Sequence, residues 1–374
     1  MALNASGPIS LGGSTVGQSV NLELGQSATT TISFNDANVR TLTGTTAGTS
    51  LSMPGGFWGK STGASFTITT NQKQLDLRAW VLANGWNGTL AVTVTIDTGV
   101  YIWSDDVTVA GLIIGGAWPG GLTIVNKGYI LGKGGKGGGS KKPGDPEPIY
   151  YTPVPAQAGG PAVSAGANCN IVNNGYICGG GGGGGMGEFA AGGGGAGGGA
   201  GGDYSTYFLG AGTGTALGGA GGTLNGTGVK GGSIPQEWEG SLENYGAGGG
   251  GGRQIPGSGG SGGIVNPSID YTLQQNGGFG GGAGGGGGGM FLSGISGGFN
   301  GYNGGAGNNP GVGGTYAGVY LPGAGGGGWG AAGGSSYILY TDVITTGGAG
   351  GKAVALNGNT VVISGSGTLY GAVA

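Results

Sequence analysis

The sequence predicts a mostly β and irregular protein in three parts: a β-rich N-terminal region over residues 1–60, a platform of β-hairpins or solenoid-like coils over 61–178 that residues 350–374 complete, and a bundle of polyglycine II helices over 179–349. Three observations carry this reading. Glycine supplies 109 of the 374 residues and concentrates in runs at 179–185, 192–195, 197–199, 248–252, 284–289 and 325–328. Short segments rich in aromatic residues separate the runs. One apolar strand–turn–strand unit occurs three times along the chain.

The glycine runs need an argument, because glycine loses the most backbone freedom on folding and such a composition first suggests disorder. Collagen is excluded: it requires a strict Gly-X-Y period and abundant proline. A left-handed helix of three residues per turn fits better. It makes no internal hydrogen bonds, so its outward N–H and C=O groups must find partners on neighbouring helices. Only residues without side chains let two backbones come that close, and Cα–H···O contacts add a little more. The aromatic residues between the runs favour order, since disordered linkers are poor in them.

Composition excludes several functions. Only 7% of residues are charged and the net charge is −3, which argues against a general grip on nucleic acid. No apolar run approaches the roughly 18 residues of a membrane span, so no membrane insertion is expected. The N-terminus lacks the basic and apolar parts of a signal peptide, and the product is expected to be made in a cytoplasm. Cys169 and Cys178 form no disulfide framework and read as small buried thiols. Histidine is absent. No catalytic residue, metal site or cofactor is expected.

From the N-terminus, Val20-Asn-Leu-Glu-Leu and Thr31-Ile-Ser-Phe alternate apolar and polar residues and read as strands. The region is thin material for a core, which suggests that it docks on a partner. Leu3-Asn-Ala-Ser-Gly-Pro-Ile-Ser-Leu-Gly-Gly, Asn35-Asp-Ala-Asn-Val-Arg-Thr-Leu-Thr-Gly and Phe57-Trp-Gly-Lys-Ser resemble an N-terminal module of tailed-bacteriophage virion proteins. That resemblance implies a virion-attachment module at 1–60, with other virion tail proteins as partners. Gly59-Lys60-Ser61 is not a phosphate loop: proline stands at 54, where the motif needs glycine.

Phe66-Thr-Ile-Thr and Leu90-Ala-Val-Thr-Val-Thr-Ile are strands, and Leu75-Asp-Leu-Arg-Ala-Trp-Val-Leu-Ala is a short helix ended by Asn84-Gly85. Asp105-Asp106 reads as a turn rather than a cation site. The repeated unit follows. Leu122-Thr-Ile-Val-Asn-Lys-Gly-Tyr-Ile-Leu-Gly matches Asn170-Ile-Val-Asn-Asn-Gly-Tyr-Ile-Cys-Gly, and Val361-Val-Ile-Ser-Gly-Ser-Gly-Thr-Leu-Tyr-Gly is a third copy with one inserted residue. Each is either a hairpin or one rung of a solenoid. The third copy is expected to close the chain onto the layer begun by the first two, so that the glycine stretch is one large insertion. Lys133-Gly-Gly-Lys136 and Lys141-Lys-Pro-Gly-Asp-Pro-Glu-Pro148 read as an exposed, solvated loop.

Glycine runs separated by short aromatic segments on a small β attachment domain resemble the glycine-rich tail-fibre tip adhesins of T-even-type phages. The resemblance implies a tail adhesin of the virion, assembled in the host cytoplasm, whose distal loops recognise a bacterial outer-membrane protein or surface glycan. Recognition must fall to the connections at 203–209, 233–245, 264–275 and 290–302, because glycine helices carry no side chains. Their rings give large contact area at low entropy cost. The candidate receptor-binding residues are Tyr204, Tyr207, Phe208, Trp238, Tyr245, Tyr271, Phe291, Phe299 and Tyr302. Packing over the flanks of the bundle is the competing role for each. Glu237-Trp238-Glu239 lacks the second acid cluster that glycoside hydrolysis needs. Two alternatives remain: a structural tail or baseplate protein using the bundle as spacer or plug, and an ice-binding protein. A homo-oligomer such as a trimer suits a tail component, although no coiled-coil heptad is present.

Overall fold

The computed structural model describes residues 3–60, 62–86, 88, 90–141, 152–187, 190–208, 212–238, 241–253, 285, 290–292, 303–305, 309, 311, 322–338 and 342–374. The N-terminal region corrects the sequence reading. It holds two short helices, α1 (Val20–Glu23) and α2 (Ala37–Thr43), and no strand among its described residues beyond one parallel bridge between Ser10 and Ser19. The alternation at Val20-Asn-Leu-Glu-Leu is also one helical turn, and Ser19 decides the matter. Its side chain accepts a hydrogen bond from the Leu22 N–H at 3.4 Å, and Val20 and Glu23, three apart on one helix face, are both buried. Helix α2 follows Asp36 and stops at Gly44, whose φ of 71° is the left-handed cap that glycine supplies without strain. The region also has a core of its own, made by Leu3, Ile9, Val20, Val39, Leu42 and Phe57.

The platform is a parallel coil. Each turn of chain lays one strand on each of three sheets. The first turn is β1 (Gly63–Ile68), β2 (Gln72–Lys73) and β3 (Leu75–Asp76), and α3 (Leu77–Ala83) leads to the second. Asp76 caps α3 by accepting from the Ala79 N–H at 3.0 Å, so the helix starts two residues later than the sequence predicts. The second turn is β4 (Ala91–Ile96), β5 (Tyr101–Trp103) and β6 (Leu112–Ile114); the third opens with β7 (Leu122–Asn126) and β8 (Tyr129–Leu131). A two-stranded antiparallel ribbon, β9 (Gly139–Lys141) and β10 (Thr152–Val154), intervenes before β11 (Val163–Ala165) completes that turn. The fourth begins with β12 (Cys169–Asn173) and β13 (Tyr176–Cys178).

Antiparallel pieces follow: β14 (Tyr204–Phe208) with β15 (Gly212–Ala216), β16 (Ser233–Trp238) with β17 (Ser241–Gly246) and β18 (Met290–Leu292), and β19 (Ser336–Ile338) with β20 (Val343–Thr345). The chain then returns to the coil as β21 (Val354–Ala355), β22 (Val361–Ser364) and β23 (Thr368–Tyr370). The sheet orders are β1-β4-β7-β12-β22, β2-β5-β8-β13-β23 and β21-β11-β6-β3.

Alternate residues of each strand point inward, and Val94, Ile102, Leu112, Ile124, Ile130 and Ile171 are fully buried between the sheets. The repeated units are successive rungs, not hairpins. Ile124, Ile171 and Ile363 lie side by side in three parallel strands. Asn126 and Asn173 stack at the corner after β7 and β12: the Asn126 amide donates to Asn173 Oδ1 at 2.8 Å, and each Oδ1 accepts the N–H of the glycine two residues on. These bonds explain why both copies keep asparagine there.

One corner of the coil is where the chain departs. Between the second and third sheets the first turn spends only Gln74, with φ of 50°, and the second turn spends 104–111. The third and fourth turns spend 132–162 and 179–353 at that same corner. The segment 132–139 is therefore not the solvated loop that its lysines suggest. It runs as a glycine strand beside 178–184, with Gly132, Gly135 and Gly138 donating to Cys178, Gly181 and Gly184. The proline-rich part of that expected loop, 142–151, lies outside the described residues.

The central strand, 179–185, has neighbours on six sides. Its N–H groups turn through three directions: Gly182 and Gly185 donate to Ala331 and Gly334, Gly180 and Gly183 to Gly160 and Gln157, Gly181 and Gly184 to Ala196 and Gly193. Its carbonyls accept from three further segments: Gly327 and Ala324, Gly351 and Gly348, Gly135 and Gly138. All twelve N···O distances are 2.7–2.9 Å. A methyl group at Gly180, Gly182 or Gly183 would fall on the carbonyl oxygen of Lys133, Gly348 or Lys136. The spacing thus admits glycine alone.

Candidate functional site

The glycine strands have two distinct ends. Near the platform they meet the outer face of the β2-β5-β8-β13-β23 sheet. Tyr101, Tyr129 and Tyr176 occupy the same register position on β5, β8 and β13 and stack with ring centroids 4.4 and 5.3 Å apart. Together with Trp103 and Tyr370 they pack against a buried cluster of Leu131, Cys178, Ala196 and Trp329. Trp329 is 1% exposed and sits on a glycine turn whose next residue, Gly330, donates to Gly179. Buried Arg253 ties a second glycine strand to the same end through Asp105 at 2.7 Å and the Ser104 and Gly197 carbonyls at 3.2 Å.

At the opposite end the strands close on an apolar plug of Met186, Ala191, Tyr204, Ala216, Ala247 and Ile338. Among the described residues, the hairpins of the glycine region start from this plug. Strand β14 begins at Tyr204, β15 ends at Ala216, β16 and β17 abut 232 and 247, and β19–β20 span 336–345. Thr345 donates its hydroxyl to the Met186 carbonyl. Ser140 on β9 and Ser205 on β14 exchange two hydrogen bonds, of 2.7 and 2.8 Å. Among the described residues, the returns at the platform end are short: 197–199, 223–226 and 329–330.

The predicted site residues divide accordingly. Tyr204 departs from the expected exposure: it is fully buried in the plug, where it fills space between strand ends. Tyr207, Phe208, Trp238, Tyr245 and Phe291 fall on β14, β16, β17 and β18, so the backbone carrying them belongs to the far-end hairpins. Tyr271, Phe299 and Tyr302 lie outside the described residues, as does Glu239. Sequence reasoning missed the other plug residues and Arg253. Met186 stands between Gly185 and Gly187, and that isolation was the available signal.

Asp203, just before β14, is held by Lys136 at 2.6 Å and by the Gly218 N–H at 2.8 Å. Burial alone would raise its carboxyl; the two donors outweigh burial and hold it below the usual carboxylate value. Asp105 behaves likewise under Arg253, Lys133 and Lys73. A depressed folded value means stability that is full above the unfolded pKa and lost as pH falls through the folded one. Thermal stability is therefore expected to be flat from about pH 5 to 8 and to fall below about pH 4, where free aspartate titrates. Melting curves of Asp105→Asn and Asp203→Asn should show a shallower acid limb than the parent.

Cys169 and Cys178 are free and buried, and burial pushes the Cys169 thiol up to about 11, as suits packing rather than chemistry. Asp106 caps its own turn by accepting from the Thr108 N–H and hydroxyl at 2.8 Å. Among the described residues no cluster could hold a metal ion, and no helix is long and apolar enough to cross a membrane.

No curated protein matches this chain. Among solved structures, the gp37-gp38 adhesin tip complex of the bacteriophage S16 long tail fiber is similar over 98% of this chain and 100% of that chain, at 19% identity and a TM-score of 0.39. The family model of the phage tail fibre adhesin Gp38 matches residues 63–263, from the first platform strand through the coil and well into the glycine strands. Because that match takes in more than half of the chain, the protein belongs to the phage tail fibre adhesin Gp38 family and is a component of the virion tail.

Proposed function

We propose that this adhesin binds a bacterial outer-membrane protein or surface glycan through the hairpins and connections at the far end of its glycine strands. Residues 1–60 attach it to other tail proteins, 61–178 with 350–374 form a β-solenoid platform, and 179–349 form a polyglycine II bundle that is completed by 132–139. Assembly takes place in the host cytoplasm before the virion is released. The three-residue rotation of donors along 179–185 supports the polyglycine II reading. Parallel in-register rungs support the solenoid.

One observation carries the receptor reading: β14, β15, β16, β17 and β18 gather at one end of a rigid bundle, opposite the platform. A rigid scaffold with variable loops at a free end is how binding sites are commonly mounted. The spacer alternative would leave those hairpins covered by other tail proteins. The test is exchange of 233–245 for the equivalent hairpin of an adhesin with another host. Binding of the purified protein to the original host, read by flow cytometry, should fall at least tenfold while the melting temperature holds. Unchanged binding and unchanged host choice would overturn the proposal.

A further inference from the structure

A second site lies away from the hairpins, where the corner loop 104–111 faces the glycine strands. A cavity of about 400 Å³ opens there, lined by Asp105, Asp106, Val107, Lys133, Lys136 and Gln157 together with Gly134, Gly198, Ala200, Ala220 and Gly221. The concentration of charge is unusual in a chain with 7% charged residues. The floor is bare backbone, and ionic groups stand around it.

The lining itself is balanced, Asp105 and Asp106 against Lys133 and Lys136, and the adjoining Lys73, Arg253 and Asp203 bring the count to four positive and three negative. Asp105 is answered by Arg253 at 2.7 Å and by Lys73 at 3.7 Å, and Asp203 by Lys136 at 2.6 Å. Lys133 has no carboxylate within ion-pair distance among the described residues. It donates to the Gly198 carbonyl at 2.6 Å, and its ammonium has further N–H groups to offer the cavity. Burial and the neighbouring Arg253 push its pKa down, and Asp105 offsets this only in part. An added anion would relieve that unfavourable positive charge.

We propose that this cavity binds a saccharide unit bearing a carboxylate or phosphate, with the anionic group on Lys133. The volume exceeds that of a bare anion. Asp106 and the Gln157 amide stand exposed at the rim as partners for hydroxyl groups. Ala200, Ala220, Val107 and the glycine CH₂ groups give the C–H face of a sugar ring an apolar floor. The inference rests on the adhesin reading only for where such sugars would be met, on a bacterial surface.

The test uses the purified full chain and no cells, so its outcome is separate from that of the hairpin exchange. Glucuronic acid, glucose 6-phosphate, glucose and inorganic phosphate are titrated by saturation-transfer NMR and calorimetry. Both anionic sugars should bind at least tenfold more tightly than glucose. Lys133→Met and Val107→Glu should each weaken them at least tenfold; Val107→Glu leaves every lysine in place and serves if Lys133→Met fails to fold. Equal binding of glucose, phosphate binding as tight as glucose 6-phosphate, or unaltered binding in folded variants would each overturn the proposal.

Discussion

Gly182→Ala is expected to prevent the glycine region from folding. A methyl group there meets the Gly348 carbonyl oxygen, which is backbone and not the movable end of a side chain. Displacing Gly348 also breaks its own bonds, N–H to Gly183 and carbonyl to Gly333. Overpacking costs about 1–3 kcal/mol where side chains can shift. Here nothing soft is available, so a loss of about 4 kcal/mol or more is expected, the class of change that marks a defined structural cause. The entropic gain of alanine over glycine, about 0.4–1 kcal/mol, is too small to compensate. Gly115→Ala is the matched control: its added Cβ meets nothing within 4 Å, and it should be neutral or slightly stabilising. Urea unfolding and limited proteolysis of the pair measure the difference. A Gly182→Ala protein as resistant as its parent would sink the packing described above.

Trp329→Ala should separate the glycine strands from the platform. The indole is buried against Leu131, Cys178 and Ala196, with the tyrosine stack, Trp103 and Tyr370 around it. Truncating a buried tryptophan costs about 3–5 kcal/mol through lost contacts and the remaining cavity. The coil has its own core of Val94, Ile102, Leu112 and Ile124 and should not share that loss. The expected signature is a melting curve that splits, with an early step for the glycine region and a later one near the parent value. A single transition at the parent temperature would show that the contact is unimportant.

The same features explain what the sequence revealed and what it concealed. The repeat behind the coil was legible, because the Asn126 and Asn173 corners and the Ile-rich strands recur in recognisable order, but the sequence left hairpin and rung open. The strand at 179–185 was legible as ordered chain because bare backbone groups must find partners on neighbouring segments. The N-terminal helices were missed because a single turn at α1 also reads as strand alternation, and the deciding signals were single groups, the Ser19 hydroxyl and the left-handed Gly44. The strand at 132–139 was hidden by two lysines, which sequence rules send to solvent. In the fold each lysine finds an acceptor on another glycine segment. Tyr204 looked like a contact residue because an aromatic ring serves packing and binding equally well. Only the convergence of distant strand ends buries it. Arg253 and Asp105 are 148 residues apart, a distance over which no local pattern can pair charges.

The six-sided bonding of 179–185 carries a thermal consequence. Melting an ordinary core exposes hydrocarbon to water and raises the heat capacity, whereas exposing peptide groups lowers it. A scaffold cohering through bare backbone therefore has a small heat-capacity increment for its length. Its free-energy curve against temperature is broad and shallow, and the cold that weakens oil-like interiors costs this one little.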